Sequence, residues 1–178
     1  MATVNLLPNG DVSNDWSQFG LGTSAVLMST DHSGSIATDP LNLHDNTTGE
    51  VFELDFQDFS EDFSSIDSVQ AVIRAGNNGR GQSFALEMTI NNGSSGTFWA
   101  AETSGSIGAS LNYQTITFTS RTTSDGSSAW TNTDINNLRM KVELTAHSGG
   151  TTRATYCYFI VTYTVPSTDN SVFFGTNF

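Results

Sequence analysis

Apolar and polar residues alternate with period two along much of this chain. Leu138, Met140, Val142 and Leu144 are interleaved with Arg139, Lys141 and Glu143, the pattern of a strand with one buried and one wet face. One hairpin later a second run is apolar on both sides. Tyr156, Tyr158, Ile160 and Thr162 share one face, and Cys157, Phe159, Val161, Tyr163 and Val165 share the other. Such a strand belongs in the middle of a sheet or between two layers. Similar alternation predicts strands over 50–56, 66–75, 82–90, 97–100 and 113–119, with a further one over 23–30, where Ala25 and Leu27 alternate with Val26 and Met28.

Turn chemistry separates these runs. Gly76-Asn77-Asn78-Gly79 closes one strand and Asn91-Asn92-Gly93 another, and Asn-Gly tolerates the positive φ that tight hairpins need. Trp130 emerges from a loop, Asp125-Gly126-Ser127-Ser128, and Thr131 or Thr133 can cap a short helical turn over 134–138, because a hydroxyl satisfies orphan amides at a helix start. Phe59 and Phe63, four apart, tuck two rings under the sheet. About eight strands and almost no helix predict an all-β, two-layer antiparallel β-sandwich, jelly-roll-like, with extended N- and C-terminal arms. No internal repeat of fixed period is present, which argues against a propeller or solenoid.

The chain divides accordingly into a lead-in arm over 1–22, a sandwich over 23–165 and a tail over 166–178. In the lead-in, Leu6-Leu7 precede a turn signal, Pro8-Asn9-Gly10, and Trp16 pins the segment to the domain. In the tail, Val172-Phe173-Phe174 and Phe178 follow a polar stretch. Exposed aromatics are costly unless they dock, so Leu6, Leu7, Val172, Phe173, Phe174 and Phe178 are expected to contact a partner subunit.

Composition sharpens this picture. Of 178 residues only 13% are charged, while Gly numbers 16 and Pro 3, so the surface is rich in hydroxyls and amides. No 18-residue apolar run predicts a membrane span, and the first residues lack the basic and apolar regions of a secretory signal. The lone Cys157 can form no internal disulfide and reads as a small core residue. The net charge is −12. Residues 1–67 hold 12 acidic and no basic residues, whereas 68–178 hold 6 of each. That balance argues against nucleic acid, which needs a basic footprint, and favours a basic partner or a cation site.

Catalytic patterns are lacking. His32, His44 and His147 lie in loops, no G-x-S-x-G occurs, and Cys157 has no basic neighbour to activate it. Zinc would need three or four clustered Cys or His. Calcium takes oxygen ligands, and Asp55, Asp58, Glu61, Asp62 and Asp67 form a dense acidic run. Asp58, Glu61 and Asp62 are its candidate ligands, against a plain solvated loop. Glu53 and Asp55 share a strand face, but glycoside cleavage needs two carboxyls across a cleft, and a wet face accounts for them too. Of the three tryptophans, Trp130 reads as core and Trp99, between Gly- and Ser-rich stretches, as the candidate glycan contact.

Several stretches together resemble a known group. They are the start through Leu6-Leu7-Pro8-Asn9-Gly10 and Trp16, then Val51-Phe52-Glu53-Leu54 and Ile66-Asp67-Ser68-Val69-Gln70-Ala71-Val72. The segment from Ala129-Trp130 to Asn137-Leu138 and the strand Tyr158-Phe159-Ile160-Val161-Thr162-Tyr163 complete the set. Over roughly residues 5–165 the chain resembles small structural proteins of tailed bacteriophages, cyanophages and marine phages among them. The resemblance implies a non-enzymatic virion component: a capsid decoration (cement) protein on the capsid surface. Its partners would be the major capsid protein and further copies of itself, as dimer or trimer. It would need no membrane, no nucleic acid and no cofactor beyond a structural calcium. The alternative expectation is a carbohydrate-binding module of a phage tail or fibre, resting on Trp99 and the acidic loop.

Overall fold

The computed structural model describes residues 1–20, 22–29, 42–79, 82–92, 96–108 and 112–167. Among these described residues, twelve strands and two short helices follow in the order β1 Ala2–Leu6, β2 Pro8–Asn14, β3 Ser17–Phe19, α1 Ser24–Met28, β4 Asn42–Asp45, β5 Val51–Phe56 and β6 Ser65–Asn77. After them come β7 Ser83–Asn91, β8 Thr97–Thr103, β9 Ile107–Gly108, β10 Gln114–Thr117, α2 Asn132–Asn136, β11 Arg139–His147 and β12 Thr152–Thr164.

The strands form two antiparallel sheets. One runs β10-β6-β12-β4-β3, with β1 also on β12, and the other runs β2-β5-β11-β7-β8, with β9 also on β7. From β4 onward the chain changes sheet at almost every connection. Neighbours within each sheet are therefore remote in sequence, as β6 with β12 and β5 with β11. This wrapping, β4-β12-β6-β10 against β5-β11-β7-β8, is a jelly-roll β-sandwich.

The alternation of each strand explains its place. β12 pairs β6 along nearly its whole length on one side, and β4 and then β1 on the other. That central position is why it is apolar on both faces. Phe52, Leu54 and Phe56 of β5 and Met140, Val142 and Leu144 of β11 point inward. They meet Val69, Ala71 and Ile73 of β6 and Cys157, Phe159 and Val161 of β12. Rings lock the layers edge to face, Phe56 to Phe159 at 4.6 Å and Trp16 to Phe52 at 5.0 Å. Each buried side chain of this size contributes roughly 1.5–3 kcal/mol.

Three expectations change. The stretch over 23–30 is the helix α1. Thr23 caps it by accepting from the Val26 amide, and Asp11 takes the Ser24 and Ala25 amides at 2.8 and 2.5 Å. Five residues are too few for period two and period 3.6 to be told apart. The lead-in over 1–22 is extended, yet it closes on its own domain: β1 joins one sheet beside β12, β2 joins the other beside β5, and β3 lies on β4. Leu6 is accordingly a core residue, 3% exposed. Leu7 is half-buried, its carbonyl taking the Gln57 amide at 2.9 Å. Leu6 therefore packs inside its own domain rather than on an arm, whereas Leu7 keeps part of its surface open. Finally, the helical turn near Trp130 starts at Asn132 rather than Asp134. Thr131 and Asp134 form a reciprocal capping box that fixes the start.

Candidate functional site

The site forms where β2, β5 and β11 run side by side. Because inward residues alternate with outward ones, Glu53 and Asp55 share the outer face with Arg139 and Lys141. Register places Asp55 opposite Arg139 and Glu53 opposite Lys141. The Arg139 Nε donates to Asp55 Oδ1 at 2.5 Å. On the other side of β5, Gly10 stands opposite Asp55. A Cβ at Gly10 would sit 3.5 Å from the Asp55 Cβ and 3.7 Å from its Oδ2, so glycine keeps the approach to that carboxylate open.

Around this pair lies an open cleft of about 290 Å³, lined by Asn9, Asp55, Phe56, Asp58, Asn136, Asn137 and Arg139. The chain after β5 delivers Asp58, and the end of α2 delivers both asparagines. Their amides are oriented by backbone partners. Asn136 Oδ1 accepts from the Phe59 amide at 2.8 Å, and Asn137 Nδ2 donates to the Thr133 carbonyl at 2.8 Å. What remains uncommitted is mixed in character. Donors are the Asn136 Nδ2 and the two terminal nitrogens of Arg139. Acceptors are the Asn137 Oδ1, Asp55 Oδ2 and both oxygens of Asp58, while Asn9 can do either.

The acidic run is dispersed rather than gathered. Asp55 is held by Arg139, exposed Glu61 accepts from the Tyr163 hydroxyl at 3.4 Å, and Asp67 accepts from Ser65 and Thr164 at 2.9 and 2.8 Å. Asp58 lines the cleft and Asp62 is exposed. Among the described residues no three His, Cys, Asp or Glu side chains are grouped to hold a metal, so the expected calcium ligands are not brought together. Glu53 and Asp55 do share a face, with Glu53 taking the Asn91 amide at 3.0 Å.

Trp99 is not an open platform. Its Nε1 donates to the Thr123 carbonyl at 3.0 Å, and the Arg121 guanidinium lies 4.5 Å over its ring. Arg121 in turn pairs with Glu102 at 2.5 Å, and Glu102 accepts from the Thr119 amide and hydroxyl. This clasp ties the segment after β10 to β8. Trp130 is buried as expected, donating to the Arg121 carbonyl and packing edge-on to Phe98.

Of the histidines, His147 contacts the Gly150 carbonyl at 2.9 Å. His44 lies opposite Arg153, and burial, then the Arg153 charge, hold its pKa below the ordinary value, against the pull of Asp45. His32 lies outside the described residues, as do Val172, Phe173, Phe174 and Phe178. Burial pushes the Cys157 thiol far up, so it is a core group and not a nucleophile. Asp125 sits well below the usual carboxylate range because Ser127 and Ser128 donate to it from both amides and both hydroxyls. It stiffens an exposed loop.

Sequence reasoning missed Asn9, Asn136, Asn137 and Arg139 as site residues. Asn9-Gly10 reads as a turn and Asn136-Asn137 as a helix end, and both are so. Nothing local shows that strand pairing brings them to one place.

Fold and site together define a jelly-roll β-sandwich with a polar cleft at one end. No protein-family model and no curated protein matches the chain. Solved structures similar in fold include the CBM36-1 domain of a multidomain xylanase from the hindgut metagenome of Trinervitermes trinervoides. It is 12% identical with TM-score 0.41, covering 90% of this chain and 97% of that one. A xylan-binding module, CBM15, is 14% identical with TM-score 0.42, covering 93% and 99%. At such distance neither likeness bears on what this chain binds.

Proposed function

We propose that the protein is a non-catalytic carbohydrate-binding β-sandwich whose ligand occupies the cleft between β2, β5 and α2. One observation carries this reading: the uncommitted polar groups of the cleft are mixed donors and acceptors. A ligand that satisfies them must donate and accept from neighbouring atoms, and adjacent hydroxyls do both. Carboxylates and phosphates only accept, and ammonium groups only donate. Asp55 Oδ1 is held by Arg139, and its Oδ2 stays open as an acceptor for the ligand.

The test is a glycan array followed by titration of any oligosaccharide retained. Replacing both Asn136 and Asn137 by Ala removes two hydrogen bonds to the ligand, each worth about 1 kcal/mol, so affinity should fall about tenfold or more. A folded wild-type protein that retains no glycan overturns the reading.

The resemblance to phage structural proteins supports placing this module on a virion, with the major capsid protein and other copies of the chain as partners. The apolar tail is the proposed contact. Deleting residues 166–178 should lower occupancy on purified particles, as counted by electron microscopy, and unchanged occupancy would remove the tail from that role.

A further inference from the structure

We infer that the cleft takes a neutral sugar with adjacent hydroxyls and turns away its uronate counterpart. The inference rests on the carbohydrate reading and adds the charge of the ligand. Asp55 and Arg139 form an ion pair in the cleft lining whose charges cancel. Asp58 is exposed and has no protein partner among the described residues, so the cleft carries one uncompensated negative charge. Lys141, two residues further along β11 on the same face, stands in register with Glu53 and is not in the cleft lining. The β2 edge adds Asp11, which caps α1, in a chain of net charge −12. Among the described residues the one cation in the cleft lining is Arg139, whose charge Asp55 already offsets, so a sugar carboxylate placed there meets the unpaired Asp58 beside it. The arrangement instead suits a diol: one hydroxyl accepts from the terminal nitrogens of Arg139 while its neighbour donates to Asp58. Specificity then comes from repulsion of the charged ligand as much as from attraction of the neutral one.

The experiment titrates the intact chain with cellohexaose, xylohexaose, mannohexaose and hexagalacturonate, at low salt and at about 0.5 M salt. At least one neutral hexasaccharide should bind, and the uronate should bind at least about fivefold more weakly at low salt, the scale of a like-charge contact near a protein surface. High salt should narrow the gap. Asp58→Asn should narrow it at low salt as well, whereas Arg139→Gln, which strands Asp55, should widen it. Thermal unfolding of both variants checks that the fold persists. Hexagalacturonate binding as tightly as the neutral sugars at low salt overturns the inference and leaves the carbohydrate site standing. If no sugar of either kind binds to folded protein, the site itself falls.

Discussion

Strand β11 has two very different ends. At its last residues, His147 and onward, the turn into β12 packs against the turn after β6, and polar groups are saturated. Asn77 donates to the Gly149 carbonyl at 3.0 Å and accepts from the Gly79 amide at 2.7 Å. Asn78 and Thr151 exchange bonds at 3.1 and 2.8 Å. Ser148 and Ser83 do likewise at 3.0 and 2.7 Å. At its first residue, Arg139, roughly 27 Å away by strand rise, the same residue types are half-committed and face solvent. Asparagine amides that close one end of the sandwich thus leave the other receptive. A saturated network resists opening, and an unsaturated one held by single backbone bonds keeps its aim and has capacity for a ligand.

The largest effect should come from the saturated end. Gly150 has φ +76°, and a Cβ there would meet Asn77 Oδ1 at 2.4 Å and the Gly79 nitrogen at 2.7 Å. Gly150→Ala should therefore lose about 2–4 kcal/mol in denaturant unfolding, with sugar affinity unchanged in the protein that remains folded. Asn77→Ala comes next. Asn77 is fully buried, and its loss orphans a carbonyl and an amide, for about 2–3 kcal/mol. At the receptive end the order inverts. Asn137→Ala should cost under about 1 kcal/mol of stability, since its partner carbonyl on Thr133 is at the exposed start of α2, yet weaken sugar binding about fivefold. Equal losses of stability at both ends would erase the contrast.

The smallest effect concerns pH. The folded pKa of His44, beside the saturated end, lies below its ordinary 6.5. The unfolded chain therefore binds more protons between the two values, and stability rises with pH through that window. His44 should contribute its full share above about pH 6.5 and lose it as the solution is acidified. Unfolding midpoints at pH 7.5 and 5.5 should converge in His44→Gln, and an undiminished slope would move the effect elsewhere.

Much of the sandwich was legible because half-buried strands print their burial as alternation, as β5, β7 and β11 do, and because β12 prints its central place as apolarity on both faces. The N-terminal strands were not. Residues 1–22 read as a lead-in arm with a turn at Asn9, yet Asn5, Asn9, Asp11 and Ser13 are the wet positions of strands whose partners, β12 and β5, lie far along the chain. Helix α1 was hidden by brevity, and because Asp11 on another element accepts its first two amides. Trp99 was misplaced because its cover, Arg121, arrives from a separate segment. The cleft was illegible for the same reason. Its residues carry local roles in turns, a helix end and a strand pair, and they become a site only through the β2-β5-β11 register.

Synthesis order sets a constraint of its own. The strand that β1, β4 and β6 all share as neighbour, β12, leaves the ribosome after every one of them, and Ala2 waits for Tyr163. Until then one whole layer has no middle, although every strand of the other has already been made. Closing such distant pairings is slow, on the order of milliseconds to seconds rather than microseconds. The nascent polypeptide must stay soluble through that delay with its sticky borders uncovered. The aspartates and glutamates before residue 68, made ahead of β7 to β12, should keep neighbouring unfinished chains apart by like-charge repulsion while it waits.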